Sequence, residues 1–318
     1  MRLYKKAAAC LLTAAMALSM LTACGGGGTG GNGGGNTPTL PNPGEIVLPA
    51  PGEGGEGEGG EGTETKPTKT PIDKNKSKLA KFNEKYAGAT EFYLEAQMIE
   101  YDENGSVEQS GDQRVAAKGN NAYMKMTLSG KNQKQQLIEQ LMLKEFEYSN
   151  NYWLFSDSKV AVRTSSDKSL SGYNISLGTL ITDTLPNLMW STKVKVGPTV
   201  YDAEVYNNGN IEYTICFTAD GKPVYRFARI RNEKQLKIAT LYKTIQTGSG
   251  TSKGLCEMPD GFKKYSIDFR TDTLTDAKGN VFNIETNDEG DVTSVKDNTG
   301  KDVFDDFKWV YDLYMMYD

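Results

Sequence analysis

The sequence predicts an α+β fold in which an antiparallel sheet is joined by a few short helices. Apolar and polar residues alternate with a period of two over residues 91–128 and again over 193–247, as expected of strands buried on one face. Asn-Gly and Asp-Gly pairs, which favour tight hairpins, separate several of these strands. Apolar residues at helical spacing occur near 77–88 and 177–189.

The amino terminus has the composition of a secretion signal. Three basic residues lie before position 7, an apolar run extends from Ala7 to Leu21, and small residues precede Cys24. Residues 1–23 therefore resemble a bacterial lipoprotein signal peptide, whose cysteine is diacylated and becomes the first mature residue. The apolar run is too short to span a bilayer. The resemblance implies a protein anchored on the extracytoplasmic face of the cell membrane by acyl chains, such as palmitate, on Cys24. The alternative is an ordinary secretion signal with a chance cysteine.

Residues 24–76 are rich in glycine, proline and glutamate and predict a disordered tether. Such a segment cannot bury enough apolar surface to offset the entropy lost on ordering. About fifty flexible residues reach on the order of 40 Å, which would lift a domain off the membrane. A glycine-rich phosphate-binding loop is the competing interpretation, but it needs a strand before the glycines and a helix after them, and neither pattern is present.

Charge and residue usage exclude several functions. Removal of residues 1–23 takes the formal charge from −5 to −8, because that segment holds three basic residues and no acidic ones. Nucleic acids and anionic lipid surfaces are therefore not expected as electrostatic partners. The chain has no histidine, which removes the commonest general base and metal ligand, and neither a metal nor a cofactor is predicted.

The cysteines and the serine motifs offer little catalytic chemistry. Cys216 and Cys256 remain in the folded part of the mature chain. They could pair and contribute roughly 3–4 kcal/mol, or stay buried as free thiols, and the sequence leaves both interpretations open. Ser156–Lys159 and Ser165–Lys168 match the Ser-x-x-Lys spacing of penicillin-recognising enzymes, but the Ser-Asp-Asn and Lys-Thr-Gly partners do not follow. The protein is therefore predicted not to be an enzyme.

The predicted folded region begins near Asn75, where Ser77 can cap a short helix. Strands are predicted next, over 92–100, 107–118 and 122–128. Residues 133–148 are ambiguous, so a hairpin that turns at Asn150-Asn151 is predicted for the second half, and the first half is left open. Six apolar residues at helical spacing then predict one or two short helices broken at Pro186, forming either a plain core helix or a lid over an apolar cavity: Leu177, Leu180, Ile181, Leu185, Leu188 and Met189.

Four strands at 193–196, 199–206, 211–218 and 223–230, and a fifth at 236–247, complete the predicted sheet. Three sequences in and after these strands resemble the last strands of the LolA/LppX-like group of envelope lipid carriers: Tyr201–Tyr206, Tyr213–Phe217 and Met258–Lys264. The resemblance covers residues 77–264 and rests on strand and turn spacing. It implies a strongly curved sheet, or half-barrel, with helices on its open face and an apolar interior that accepts acyl chains.

The adaptable methionines of the predicted strands fit such an interior, because unbranched side chains can adjust to different acyl chains. The plain alternative is that they fill a closed core. The candidate lining and covering residues are Leu94, Met98, Met124, Met126, Leu180 and Leu188.

Residues 265–318 depart from that group. Polar turns at 276–279, 288–290 and 297–300 recur about every eleven residues and predict a small β-meander. Calcium loops are the alternative, but none of these turns matches the twelve-residue ligand pattern. An amphipathic helix is predicted to close the chain, with one apolar face formed by Val303, Phe307, Val310, Tyr314 and Tyr317.

Two functions follow from these observations. The first is a membrane-anchored lipoprotein that binds a lipid or another apolar ligand in its cavity. The second is a non-enzymatic interaction or structural module of the cell envelope with a filled core. They differ in whether apolar space under the sheet accepts a ligand.

Overall fold

The computed structural model describes residues 40, 45–49, 70, 73, 76–86, 88–130, 135–145, 147–164, 168–169, 177–182 and 187–317. The predicted signal peptide, Cys24 and most of the predicted tether lie outside these residues. The elements, in chain order, are β1 (Ile46–Val47), α1 (Lys78–Tyr86), β2 (Glu91–Tyr101), β3 (Val107–Lys118), β4 (Asn121–Gly130), β5 (Gln136–Glu145), β6 (Tyr148–Phe155), β7 (Val160–Thr164), β8 (Lys168–Ser169), α2 (Leu177–Thr182), β9 (Asn187–Val196), β10 (Thr199–Asn208), β11 (Ile211–Phe217), β12 (Pro223–Ile230), β13 (Leu236–Thr247), β14 (Lys263–Asp268), β15 (Thr273–Asp276), β16 (Val281–Thr286), β17 (Val292–Lys296), a 3-10 turn (Phe304–Phe307) and α3 (Trp309–Tyr317).

The fold is all-β, so the predicted α+β class is wrong. Strands account for 57% of the structure and helices for 11%. The helices α1 and α2 have only 9 and 6 residues and do not form a layer of their own. Sequence periodicity overstated the helical part because Leu188 and Met189 belong to β9, which pairs with β10.

One large mixed sheet holds the strands β1 to β17. Its ladders follow the order β1, β9, β10, β11, β12, β13, β2, β3, β4, β5, β6, β7, β14, β15, β16 and β17, and β8 pairs with β6. Neighbours are antiparallel except β7 and β14, which are parallel. The β13–β2 ladder joins the two predicted groups of strands by pairing Tyr242 with Ala96.

The strands predicted over 193–247 are confirmed. A hairpin does follow the ambiguous segment, but it joins β5 to β6, and Asn150 and Asn151, where the turn was predicted, lie inside β6. The part left open is also a strand, because β5 and β6 pair from Gln140 to Glu145. Alternation is hidden in β5 since its central residues are buried on both faces.

The two faces of the sheet are covered differently. On one, here called the helix face, strand residues such as Leu94 and Ile215 share a core cluster with Phe82 of α1 and Ile181 of α2. On the other, the loop face, two clusters include residues 255–262 and residues near the amino terminus. Because both faces of the sheet are covered, most apolar side chains of these strands are buried.

Part of the segment predicted as a disordered tether belongs to the sheet. Ile46 pairs with Val196 and Val47 with Lys195, and Thr70 forms a bridge with Ser191. These contacts cover the free edge of β9, which would otherwise expose a row of unpaired backbone groups. The folded region therefore begins before Asn75.

The predicted boundary between residues 264 and 265 falls inside β14. The strands that follow continue the sheet. Phe307, Val310 and Leu313 pack with buried residues of these strands in a separate core cluster. The polar turns use their carboxylates locally: Asp297 Oδ1 accepts from the backbone N–H groups of Thr299 and Lys301 at 2.9 and 3.1 Å. Gly300 adopts φ 81°, which completes the turn.

Candidate functional site

The six residues predicted to line a ligand cavity lie on the helix face. Leu94, Met124 and Leu180 are members of its core cluster, and Leu188 packs against that cluster. Met98 and Met126 continue the same faces of β2 and β4, because side chains two residues apart point to the same side of a strand. Both are 7% exposed. Whether they contact a ligand stays a prediction.

Three polar side chains lie beside these methionines, and sequence analysis did not single them out. Ala96 of β2 is directly opposite Gln113 of β3 on one side and Tyr242 of β13 on the other. Thr240 is two residues from Tyr242 and lies opposite Met98. Residues directly opposite in antiparallel strands share a face. Gln113, Thr240 and Tyr242 are called the polar row below.

The polar row is buried, and its polar atoms lack hydrogen-bond partners among the residues that the structure describes. Gln113 is 6% exposed, Thr240 0% and Tyr242 5%. Within the described part of the chain, Gln113 Oε1 and Nε2, Thr240 Oγ1 and Tyr242 OH make no hydrogen bond. Each buried group of this kind costs about 1–3 kcal/mol, and proteins rarely retain one without a partner, a water or a ligand.

The gap between the two ends of the row is narrow. Adjacent strands lie about 4.8 Å apart, so Gln113 and Tyr242 have Cα atoms roughly 10 Å apart across β2. Ala96, whose side chain is a single methyl group, lies between them on β2. Met126, opposite Gln113 in the β3–β4 ladder, adds an apolar wall at one end.

A buried cation lies at the other end. Arg226 of β12 is opposite Thr240, is 5% exposed, and has its guanidinium carbon 5.8 Å from the centre of the Tyr213 ring. Burial raises the pKa of Tyr242, while the Arg226 charge acts in the opposite direction. The Tyr242 phenol therefore stays protonated at neutral pH and can donate a hydrogen bond.

A carboxyl group with an unusual pKa lies farther along the same face. Glu100 follows Met98 by two residues and is opposite Ile238. Burial raises its pKa from 4.5 to about 7; the charge of Glu108 adds to the rise and that of Lys237 opposes it. Glu100 thus changes charge near neutral pH.

The two cysteines and the first serine motif are occupied by packing and hydrogen bonds. Cys216 and Cys256 are free and buried in different clusters, so they form no disulfide in this structure. Ser156 Oγ donates to Glu139 Oε2 at 2.9 Å, and the backbone carbonyl of Lys159 accepts from Lys263 at 2.9 Å. Ser165 lies outside the described residues, as do the side chain of Lys168 and Leu185.

In the described ranges, no helix combines the length and the apolar composition that crossing a membrane requires. Over the same residues, no group of three or more cysteine, aspartate or glutamate side chains is placed to hold a metal ion.

No protein family matches the chain, and no curated protein matches it. Among solved structures it resembles an uncharacterized conserved protein from Thermus thermophilus, with a TM-score of 0.31 and 11% sequence identity. That alignment covers 59% of this chain and 96% of the other chain.

Proposed function

We propose that this protein is a lipid-anchored, extracytoplasmic lipoprotein that binds an apolar ligand on the helix face of its sheet. It carries no catalytic role in this proposal, since its chemistry-bearing motifs lack their partners. The sequence pattern before Cys24 supports the anchor. The resemblance of Tyr201–Tyr206 and Tyr213–Phe217 to the LolA/LppX-like carriers supports a lipid as the ligand.

One observation carries the binding proposal: beside Met98 and Met126 lie buried polar atoms that have no hydrogen-bond partner among the described residues. A core that served only to hold the fold would gain stability by replacing these polar groups with apolar ones of the same shape. Ligand sites, in contrast, combine an apolar lining with a few polar groups. Methionine suits such a lining because its flexible chain adapts to variable ligands.

The anchor is tested by labelling. Cells that express the parent chain or Cys24→Ser are fed an alkyne fatty acid, and incorporation is read on the purified protein. We expect label on the parent and loss of label with retention of the signal peptide in Cys24→Ser. Equal labelling of both chains would contradict the anchor.

Ligand binding is tested with the purified full chain by native mass spectrometry and by displacement of an apolar fluorophore. Met126→Trp should place a large ring beside the polar row and prevent lipid from co-purifying. Leu143→Trp is the matched control, since Leu143 is equally 7% exposed but lies in a loop-face cluster. Both changes should overpack and cost about 1–3 kcal/mol, but only the first should remove binding.

Absence of lipid from the parent, and of displacement by any lipid tested, would contradict the binding proposal. The envelope interaction module with a filled core would then be the better description.

A further inference from the structure

The polar row has a consistent chemical character. Gln113 presents an amide N–H₂ group, and Thr240 and Tyr242 present hydroxyl groups, so all three can donate a hydrogen bond at the same time. The guanidinium of Arg226, opposite Thr240, adds positive charge on the next strand. A group that accepts several hydrogen bonds therefore complements the row better than one that donates them.

The surroundings of the row define the rest of the ligand. Met98 is opposite Thr240, Met126 is opposite Gln113, and Leu94 precedes Ala96 by two residues on the same face. These side chains are apolar and buried, so they can contact a hydrocarbon chain but not a second polar group. The face is therefore apolar directly beside the polar row, on β2 and β4.

We propose that the polar row recognises the oxygen-bearing end of a single acyl chain, with the carboxylate or ester oxygens accepting hydrogen bonds from Gln113, Thr240 and Tyr242. The proposal rests on the proposed function, since it names the ligand class for the same face. The acyl chain extends over the flanking methionines. The three polar groups then form hydrogen bonds only when the ligand is bound. Leaving them without hydrogen bonds destabilises the empty protein, and a ligand that supplies those bonds is favoured over one that does not.

This assignment predicts that removing one polar group raises stability and lowers ligand affinity. The isosteric changes Gln113→Leu, Thr240→Val and Tyr242→Phe each remove a polar group that is unsatisfied in the empty protein. We expect each to raise the melting temperature of the empty chain and to weaken binding of an acyl ligand about three- to tenfold, the loss of one hydrogen bond. A residue with a purely structural hydrogen bond would behave in the opposite way, losing stability and leaving affinity unchanged.

Tyr101→Phe is the matched control. Tyr101 is 2% exposed, and its hydroxyl makes no hydrogen bond within the described residues, but it lies in a loop-face cluster. The control should raise the melting temperature in the same way and leave acyl binding unchanged. It separates the removal of any buried hydroxyl from the removal of a ligand contact.

The experiment uses the purified full chain with the neutral fluorophore N-phenylnaphthylamine as reporter. Dodecanoic acid, methyl dodecanoate and dodecane are the competitors, and thermal melting is measured on the same samples without competitor. We expect the parent to prefer the acid or the ester over dodecane by tenfold or more, and each polar-row variant to lose most of that preference. Acid bound tighter than ester identifies the carboxylate as the recognised group, and equal binding identifies the carbonyl oxygen.

Two results overturn the inference and leave the proposed function intact. One is equal displacement by acid, ester and dodecane on the parent, and the other is unchanged acyl affinity in all three variants. A parent that binds neither reporter nor any competitor contradicts the proposed function itself, and with it the assignment of the row.

Discussion

The buried guanidinium of Arg229 donates to the backbone carbonyl of Pro49 at 2.7 Å, linking β12 to a residue 180 positions earlier in the chain. The same group pairs with the carboxylate of Glu212, its direct neighbour in the β11–β12 ladder, through Nε at 2.8 Å and through Nη2. Their side chains are only 3% and 2% exposed. Arg229 therefore pairs with Glu212 inside the sheet and also holds the segment that was predicted to be a disordered tether.

We expect Arg229→Met to lower the free energy of unfolding by about 3–5 kcal/mol, because it leaves the Glu212 charge buried without its partner. Combining it with Glu212→Leu should restore most of the loss. Urea unfolding of the two variants measures this difference. Limited proteolysis near Pro49 should increase in both, and a single variant as stable as the parent would show that the pair is not buried in solution.

Glu204 of β10 caps α1. Its carboxylate accepts from the backbone N–H groups of Lys78 at 2.5 Å and Leu79 at 3.2 Å, and from the Tyr206 hydroxyl at 2.7 Å. Charged acceptors of this kind contribute about 1.5–3 kcal/mol. We expect Glu204→Ala to destabilise by at least this amount and to detach α1 from the helix face.

Ser77→Ala is the comparison for that variant. Ser77 Oγ accepts from the Ala80 N–H at 2.9 Å, an ordinary N-cap worth about 1 kcal/mol. Hydrogen exchange of the α1 amides and urea unfolding distinguish the two. Equal effects of the two substitutions would mean that Glu204 contributes no more than a local cap.

The raised pKa of Glu100 predicts that the stability of the folded protein depends on pH. Since burial raises its pKa from 4.5 to about 7 in the folded state, the folded protein binds a proton that the unfolded chain has released. Its contribution to stability is fully present below pH 4.5 and is lost as the pH rises through 7. Glu100→Gln should therefore match the parent near pH 4 and exceed it at pH 8 by about 1–2 kcal/mol, a value reduced for partial exposure.

Lys237→Met provides the control for Glu100. The Lys237 charge lowers the pKa of Glu100, so its removal should move the loss of stability to higher pH. Urea unfolding between pH 4 and 8 measures both variants. A stability difference between Glu100→Gln and the parent that does not change from pH 4 to pH 8 would contradict a raised pKa of Glu100.

Phe307 anchors the carboxy-terminal elements. It is 7% exposed, and its ring centre lies 4.8 Å from that of Phe282 and 5.8 Å from that of Tyr265. Phe307→Ala should cost about 3–5 kcal/mol. Tyr311→Ala, at a position 41% exposed in α3, should cost little in the same urea experiment, and equal effects of the two would mean that the 3-10 turn does not dock on the strands.

Local patterns in the sequence predicted local structure well. The hairpins around Asn208-Gly209 and Asp220-Gly221 follow from turn chemistry that involves only neighbouring residues, and β10 to β13 lie where they were expected. β5 was missed in part because Gln140, although polar, is buried. The parallel β7–β14 ladder was not predicted, since no local signal specifies pairing between distant strands.

The sequence also predicted one part of the candidate site and missed another. Met98, Met124 and Met126 were found because alternation assigns them to one face. Gln113 occupies an inward position that alternation also identifies, between Gly111 and Val115, and that polar exception was the available signal. The absence of hydrogen-bond partners depends on what the folded chain places around a residue, and no sequence pattern records it.

The pairing of Ile46 with Val196 sets how far the folded protein can stand from a membrane. If the chain is anchored at Cys24, as proposed, only the residues up to Ile46 separate the lipid from the sheet, a span of at most about 75 Å when fully extended. Shortening the chain between 25 and 44 would draw the sheet toward the bilayer. Shortening it between 50 and 69 would leave this standoff distance unchanged, because the chain has already joined the edge of β9.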